Sequence, residues 1–185
     1  MKKLCVFCGS SMGTDRIYAV KAAELGRKMA EQNIALVYGG GHLGLMGVIA
    51  DSVLAHGGEV IGIIPERLVR RENAHTRLTQ SIVVEGMHER KALMARMSDA
   101  FVSMPGGLGT LDELFEIMTW NQLGIIDKPC ALYNVNRFWD AQLQMIQMAH
   151  KEGFVKDSGM DLLKVYDDDD TLLQNVFTPN EKINH

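Results

Sequence analysis

Met104-Pro105-Gly106-Gly107-Leu108-Gly109-Thr110-Leu111-Asp112-Glu113 is the stretch that decides how this chain is read. The apolar run 100–103 precedes it and reads as a strand. Leu111, Leu114, Phe115, Ile117 and Met118 follow it at the spacing of one helix face. A glycine-rich turn therefore carries the chain from a strand into a helix N-terminus. Glycine lets the backbone come close to a ligand, and a helix start offers unpaired N–H groups and a positive dipole end. Those are the attributes of a phosphate site. No Lys-Ser or Lys-Thr closes the turn, so it is not a Walker loop, and it is not the usual dinucleotide fingerprint either.

Outward from the turn, strand-like and helix-like segments alternate. Strands are expected at 4–7, 35–38, 60–64, 81–84, 100–103 and 130–133. Helices are expected at 17–31, 45–55, 88–97, 111–122 and 138–150, the first with Ile17, Val20, Leu25 and Met29 turned inward. Such alternation implies an α/β fold, a Rossmann-like parallel sheet with helices on both faces. Short, wholly apolar strands fit a sheet covered on both sides. Ligands of such sheets lie beyond the carboxyl ends of the strands. Three strands end there in small residues: Cys8-Gly9-Ser10-Ser11, Gly39-Gly40-Gly41-His42-Leu43-Gly44 and Pro105-Gly106-Gly107-Leu108-Gly109. Clusters in three turns point to a nucleotide-sized site more strongly than the one or two glycines that tight turns need. One domain is expected over 1–178, with a frayed tail at 179–185.

Composition narrows the function classes. The 185 residues carry a net charge of −4 and no run of basic residues, which gives no sign of a nucleic-acid surface. No apolar stretch is long enough to span a membrane. Met1-Lys2-Lys3 and the apolar residues after it are too brief for a signal peptide, and Gly9 interrupts them. Three cysteines, an odd number, argue against a disulfide framework and fit a cytoplasmic location. Cys5 and Cys8 would point to opposite faces of their strand, which disfavours a zinc or redox role. Cys130 reads as core.

Two residues stand out as chemistry. Met87, Arg90, Met94 and Met97 share one helix face that turns inward, and a guanidinium there needs an anion, supplied by a structural carboxylate or by a ligand. Glu113 lies one turn into the anion-binding helix. Thr110 and Glu113 have capping-box spacing, and on spacing alone the cap is the better reading. Location supports another: a carboxylate beside a phosphate turn suits a ligand group that becomes cationic. The segment 66–80 is polar and poorly periodic, a loop or broken helix over the site. The acidic run 167–170 is expected to cap a short helix at 171–177 and not to bind metal.

Taken together, these motifs resemble the Lonely-guy (LOG) family of cytokinin riboside 5′-monophosphate phosphoribohydrolases, often labelled lysine decarboxylase-like. The resemblance covers roughly 3 to 155. It is carried by Cys8-Gly9-Ser10-Ser11, Val37-Tyr38-Gly39-Gly40-Gly41, Gly44-Leu45-Met46-Gly47, Met87-His88-Glu89-Arg90-Lys91, Ser98-Asp99-Ala100-Phe101 and the turn 105–113, which meets P-G-G-x-G-T-x-x-E at every fixed position. It implies Arg90 and Glu113 as catalytic residues. The substrate-binding candidates are Gly9, Ser10, Gly40, Gly41, Glu72, Met87, Lys91, Gly106, Gly107, Leu108, Gly109, Thr110, Asp112 and Thr119. Around Glu72 the segment departs most from the plant members, which bears on base preference more than on the reaction.

The resemblance implies hydrolysis of the N-glycosidic bond of a nucleoside 5′-monophosphate, such as AMP or a cytokinin riboside 5′-monophosphate, to free base and ribose 5-phosphate. It implies no metal and no organic cofactor, and a homodimer with 120–126 and 87–97 near the contact. A lysine decarboxylase would need pyridoxal phosphate and a Schiff-base lysine, and Lys91 is the only lysine near a motif. A non-catalytic molybdenum-cofactor or nucleotide carrier of similar fold is the stronger rival. The presence of both Arg90 and Glu113 favours the hydrolase.

Overall fold

The computed structural model describes residues 1–70 and 73–179. Seven strands form one sheet in the order β4-β3-β2-β1-β5-β6-β7. They are β1 (Lys2–Phe7), β2 (Ile34–Tyr38), β3 (Val60–Pro65), β4 (Gln80–Val84), β5 (Ala100–Ser103), β6 (Cys130–Tyr133) and β7 (Leu163–Tyr166). Every pairing is parallel, with Leu4 beside Leu36 on one side of β1 and beside Ala100 on the other. Parallel strands require crossovers, and helices α1 (Ile17–Glu31), α2 (Gly44–Ala55), α3 (Met87–Met97), α4 (Leu108–Gln122) and α5 (Asp140–Lys151) supply most of them. Short helices α6 (Asp157–Met160) and α7 (Asp169–Asn175) flank β7. The expected α/β architecture is present, and no helix among the described residues is long and apolar enough to cross a membrane.

The core lies in two layers, one on each face of the sheet. Leu4, Val6 and Cys8 of the first strand region pack with α1 and α2 through Leu25, Met29, Ile49 and Val53. Cys5 and Phe7 pack on the other face with Met94 of α3 and Leu114 and Ile117 of α4. The two cysteines thus face opposite ways, and all three thiols are buried and unpaired. Strand order turns back between β1 and β5: the chain builds outward from β1 to β4, then α3 returns it to the far side of β1. The gap above that junction is where a doubly wound sheet holds its ligand.

Several expectations are corrected. Val20 is 48% exposed, because it lies off the α1 face that Ala22, Leu25, Gly26 and Met29 bury. β7 and α6 escaped notice, since the edge strand Leu163-Lys164-Val165-Tyr166 mixes polar and apolar residues. β4 is not apolar throughout: it is the opposite edge, and Gln80, Ser81 and Val83 are exposed. α5 begins at Asp140, not at 138, because Asn136 and Arg137 hold positive φ of 51° and 59°. Asn134 Oδ1 accepts the Trp139 N–H at 2.8 Å and closes that turn. Asp168 does cap the C-terminal helix, accepting from Thr171 N–H at 2.8 Å, but the helix is 169–175.

The end of α3 has an unusual stop. Lys128 extends its ammonium onto the carbonyls of Ala95 at 2.7 Å and Ser98 at 2.6 Å, filling acceptors that a helix C-terminus leaves open. Burial pushes its pKa below the ordinary lysine value. Lys128→Met keeps the aliphatic stem and removes these charge-assisted bonds. A loss of about 1–3 kcal/mol is expected, or a Tm lower by roughly 2–10 °C in a chain of this size, as thermal denaturation will show.

Candidate active site

The three small-residue turns meet above β1, β2 and β5. Gly9 N–H donates to Pro105 O at 3.1 Å, and Met46 N–H donates to Gly9 O at 3.3 Å. The turn of 105–107 thus lies on the β1 turn, which in turn lies on the first turn of α2. A Cβ at Gly106 would strike Thr110 Oγ1 and approach Gly9 N at 2.9 Å, so no other residue allows this contact.

Helix α4 opens at Leu108 with Gly107 as its N-cap, three residues earlier than its apolar spacing announced. Leu108 is 85% exposed and Gly109 has no side chain, so neither contributes to a buried face. The first intrahelical bond runs from Leu111 N–H to Gly107 O at 3.1 Å. The N–H groups of Leu108, Gly109 and Thr110 therefore stand at the open helix end, the arrangement that receives anions. The early start also overturns the capping box. Thr110 is the third helical residue and is buried, and no side chain caps the helix. Glu113 is thereby relieved of the role that competed with chemistry.

Arg90 behaves as its face predicted. It is 5% exposed on α3, beside buried Met94 and Ala95. Its guanidinium passes under Gly39, where a Cβ would strike Nη2. Gly39 is a functional position that the glycine cluster contained but spacing could not single out. Arg90 Nη2 stands 3.9 Å from Glu113 Oε1, both largely buried. The Glu113 charge is felt below as well: burial, and then this carboxylate, push the thiols of Cys5 and Cys8 well above the ordinary range. The site thus joins an anion-binding helix end to a buried cation and a buried carboxylate.

Gly9, Ser10, Gly106 and Gly107 line one cavity at the strand ends, whereas Gly40 and Gly41 belong to the turn that leaves β2. Met87 opens α3 with its sulfur 3.9 Å from Arg90 Nη1. Lys91 pairs with Asp112 at 2.7 Å and Glu116 at 3.4 Å, a clasp between α3 and α4. Burial works against its charge, and these carboxylates more than offset it, so its pKa stands above the ordinary value. Thr119 is not brought in. It lies eleven residues along α4 from Leu108, about 16 Å at the helical rise, and its hydroxyl donates to Phe115 O. Glu72 falls outside the described residues, as does the tail from 180 to 185.

Comparison with known proteins agrees with the geometry. Residues 46–176 match a family described as "possible lysine decarboxylase". A rice protein, a probable cytokinin riboside 5′-monophosphate phosphoribohydrolase (LOGL2), is 47% identical over 162 residues, 88% of this chain and 66% of its own length. The Arabidopsis thaliana cytokinin riboside 5′-monophosphate phosphoribohydrolase LOG1 is 49% identical over 154 residues, 83% of this chain and 72% of its own. The chain thus spans slightly under two thirds of the rice relative. A molybdenum-cofactor carrier protein from Chlamydomonas reinhardtii shares the fold, with a TM-score of 0.71, 22% identity and coverage of 95% of this chain and 94% of that one. A glycine turn opening a helix and the largely buried pair Arg90 and Glu113 stand in a chain that belongs to the possible lysine decarboxylase family, alongside the LOG phosphoribohydrolases.

Proposed function

We propose that this protein hydrolyses the N-glycosidic bond of a nucleoside 5′-monophosphate, releasing the base and ribose 5-phosphate. The observation that carries the reading is the pair Arg90–Glu113, buried 3.9 Å apart beside the open N-terminus of α4. The 5′-phosphate sits on the N–H groups of Leu108, Gly109 and Thr110. Bond cleavage builds positive charge on the sugar ring, and Glu113 supplies the facing negative charge in a largely dry setting. Arg90 orients the sugar or phosphate and balances the Glu113 charge. Water adds at C1′ as the bond to the base nitrogen breaks, and its protons end on the new hydroxyl and on the departing base. Relatives named for cytokinin riboside 5′-monophosphates make that nucleotide a substrate to test beside AMP.

The site is completed in a homodimer. Thr119 is remote from its own glycine turn, so any ligand contact it makes is with a ligand held by a second copy. Leu123 and Ile125 at the far end of α4 are exposed, and covering them on a partner favours association. The cytoplasm is its place of action, in keeping with three unpaired, buried thiols.

Three measurements test these readings. AMP is expected to be cleaved with a kcat/KM at least ~100-fold above that of adenosine, because phosphate binding energy positions the sugar. Glu113→Gln keeps the shape and removes the charge. Turnover of AMP is expected to fall roughly 10²-fold or more, with AMP still bound and the melting curve still cooperative. Near-normal turnover would remove Glu113 from the chemistry, and binding of AMP with no adenine released even by the unaltered protein would favour a carrier. Light scattering at micromolar protein is expected to give twice the 20.6 kDa chain mass; a monomer overturns the dimer.

A further inference from the structure

The turn that covers Arg90 is itself held in place from outside the site. Gly39 to Leu43 leave β2 as irregular chain, and the backbone at Gly39 runs so near the guanidinium that a Cβ there would strike Nη2. On one side the turn rests on α2. On the other it is sewn to the segment 73–77: His42 N–H donates to Asn73 O at 3.0 Å, and His75 N–H donates to Gly40 O at 3.0 Å. Gly41 and Ala74 form an isolated antiparallel bridge between the two.

Two side chains tie that segment to α2, since His75 and Arg77 both reach Asp51. His75 is 4% exposed, unusual for an imidazole in a polar connection where its neighbours Thr76 and Arg77 are exposed. Its Nδ1 accepts the Arg77 N–H at 3.1 Å. That bond places the ring proton on Nε2, assigned here from the hydrogen-bond network. Nε2 then donates to Asp51 Oδ1 on α2 at 3.1 Å. The same oxygen receives Arg77 Nη2 at 2.6 Å, and the His42 ring stands edge-on to His75 at 4.7 Å. The imidazole thus joins three pieces of chain: the segment 73–77, the glycine turn through its own backbone, and α2.

We infer that His75 is a positioning residue: through Asp51 it pins the segment 73–77, and with it the glycine turn 39–42 that covers Arg90, in the geometry that binds the nucleotide. It touches neither Arg90 nor Glu113 in any contact described above, so it acts on the ligand through the turn. The loss of the pin is felt when substrate binds, because the turn must then be ordered at the expense of binding energy. The chemical step, set by Arg90 and Glu113 from α3 and α4, proceeds as before once the nucleotide is seated. The inference rests on the hydrolase reading for its kinetic readout alone.

Three variants separate the pin from general packing. His75→Gln extends an amide nitrogen toward Asp51 and keeps the bridge to α2. His75→Asn keeps an acceptor for the Arg77 N–H and abandons Asp51. His75→Ala loses both. For AMP, His75→Ala and His75→Asn are expected to raise KM about 10-fold, the scale of one buried hydrogen bond, with kcat within about threefold, while His75→Gln restores most of the loss. Asp51→Ala, which also releases Arg77, is expected to raise KM at least as far as His75→Ala, and the double variant to be no worse than Asp51→Ala alone. Recovery by asparagine and not by glutamine overturns the pin, as does a fall in kcat at constant KM or additive losses in the double variant. If the His75 variants do not fold, Asp51→Ala on half-exposed α2 carries the same KM comparison. Adenine release by the unaltered protein is the separate check on the hydrolase reading; should it fail, AMP affinity by calorimetry replaces KM in the same comparison, with the same outcomes.

Discussion

A guanidinium buried under a glycine turn is the constraint around which the rest of this structure is arranged. The near-complete burial of the Arg90 cation is tolerable only beside negative charge. Glu113 supplies that charge from a different helix, so α3 and α4 must approach each other at the carboxyl end of the sheet. The Lys91 clasp to Asp112 and Glu116 holds them at that approach one residue away from each member of the pair. Above Arg90 the backbone must be bare, which is why Gly39 has no side chain. The identity of several residues that touch no ligand follows from placing one cation.

The same pair explains why the helix end matters. An open N-terminus attracts anions generally, and it would serve a carrier as well as an enzyme. A carboxylate five residues into that helix is costly for plain phosphate binding, since it repels the guest. It is advantageous only where some other part of the guest turns cationic. Arg90, 3.9 Å away, balances the charge of this largely buried carboxylate.

Much of this was legible from residue order. Strand 100–103, strand 130–133 and helix 17–31 coincide with the observed elements, because apolar period alone distinguishes them. The inward face of Arg90 followed from its spacing to Met94. The start of α4 did not, since an exposed leucine and a glycine leave no pattern to read, and with it went the true status of Thr110 and Glu113. The edge strand β7 is short and half-covered, so it lacks the continuous apolar signal of the inner strands. Contacts made by backbone proximity, such as Gly39 against Arg90, and ties between distant polar residues, such as His75 to Asp51, exist only once the sheet has brought their segments together.

The junction of β1 with β5 has a consequence for how the molecule comes into being. Leu4 pairs with Ala100 and Phe7 with Ser103, and the Lys3 N–H is received by the Asp99 carboxylate at 2.8 Å. The strand nearest the N-terminus therefore waits for a partner almost a hundred residues later. Closing so long a loop is entropically expensive and slow relative to local pairing. During synthesis, β1 to β4 and their helices can associate first as a half-sheet whose inner edge, β1, is still bare. The cleft comes into existence only when β5 docks on that edge and brings the glycine turn with it. Nascent chains thus lack a finished cleft until the central strand is sealed, and an exposed, apolar β1 edge is the point at which interrupted chains would adhere to one another.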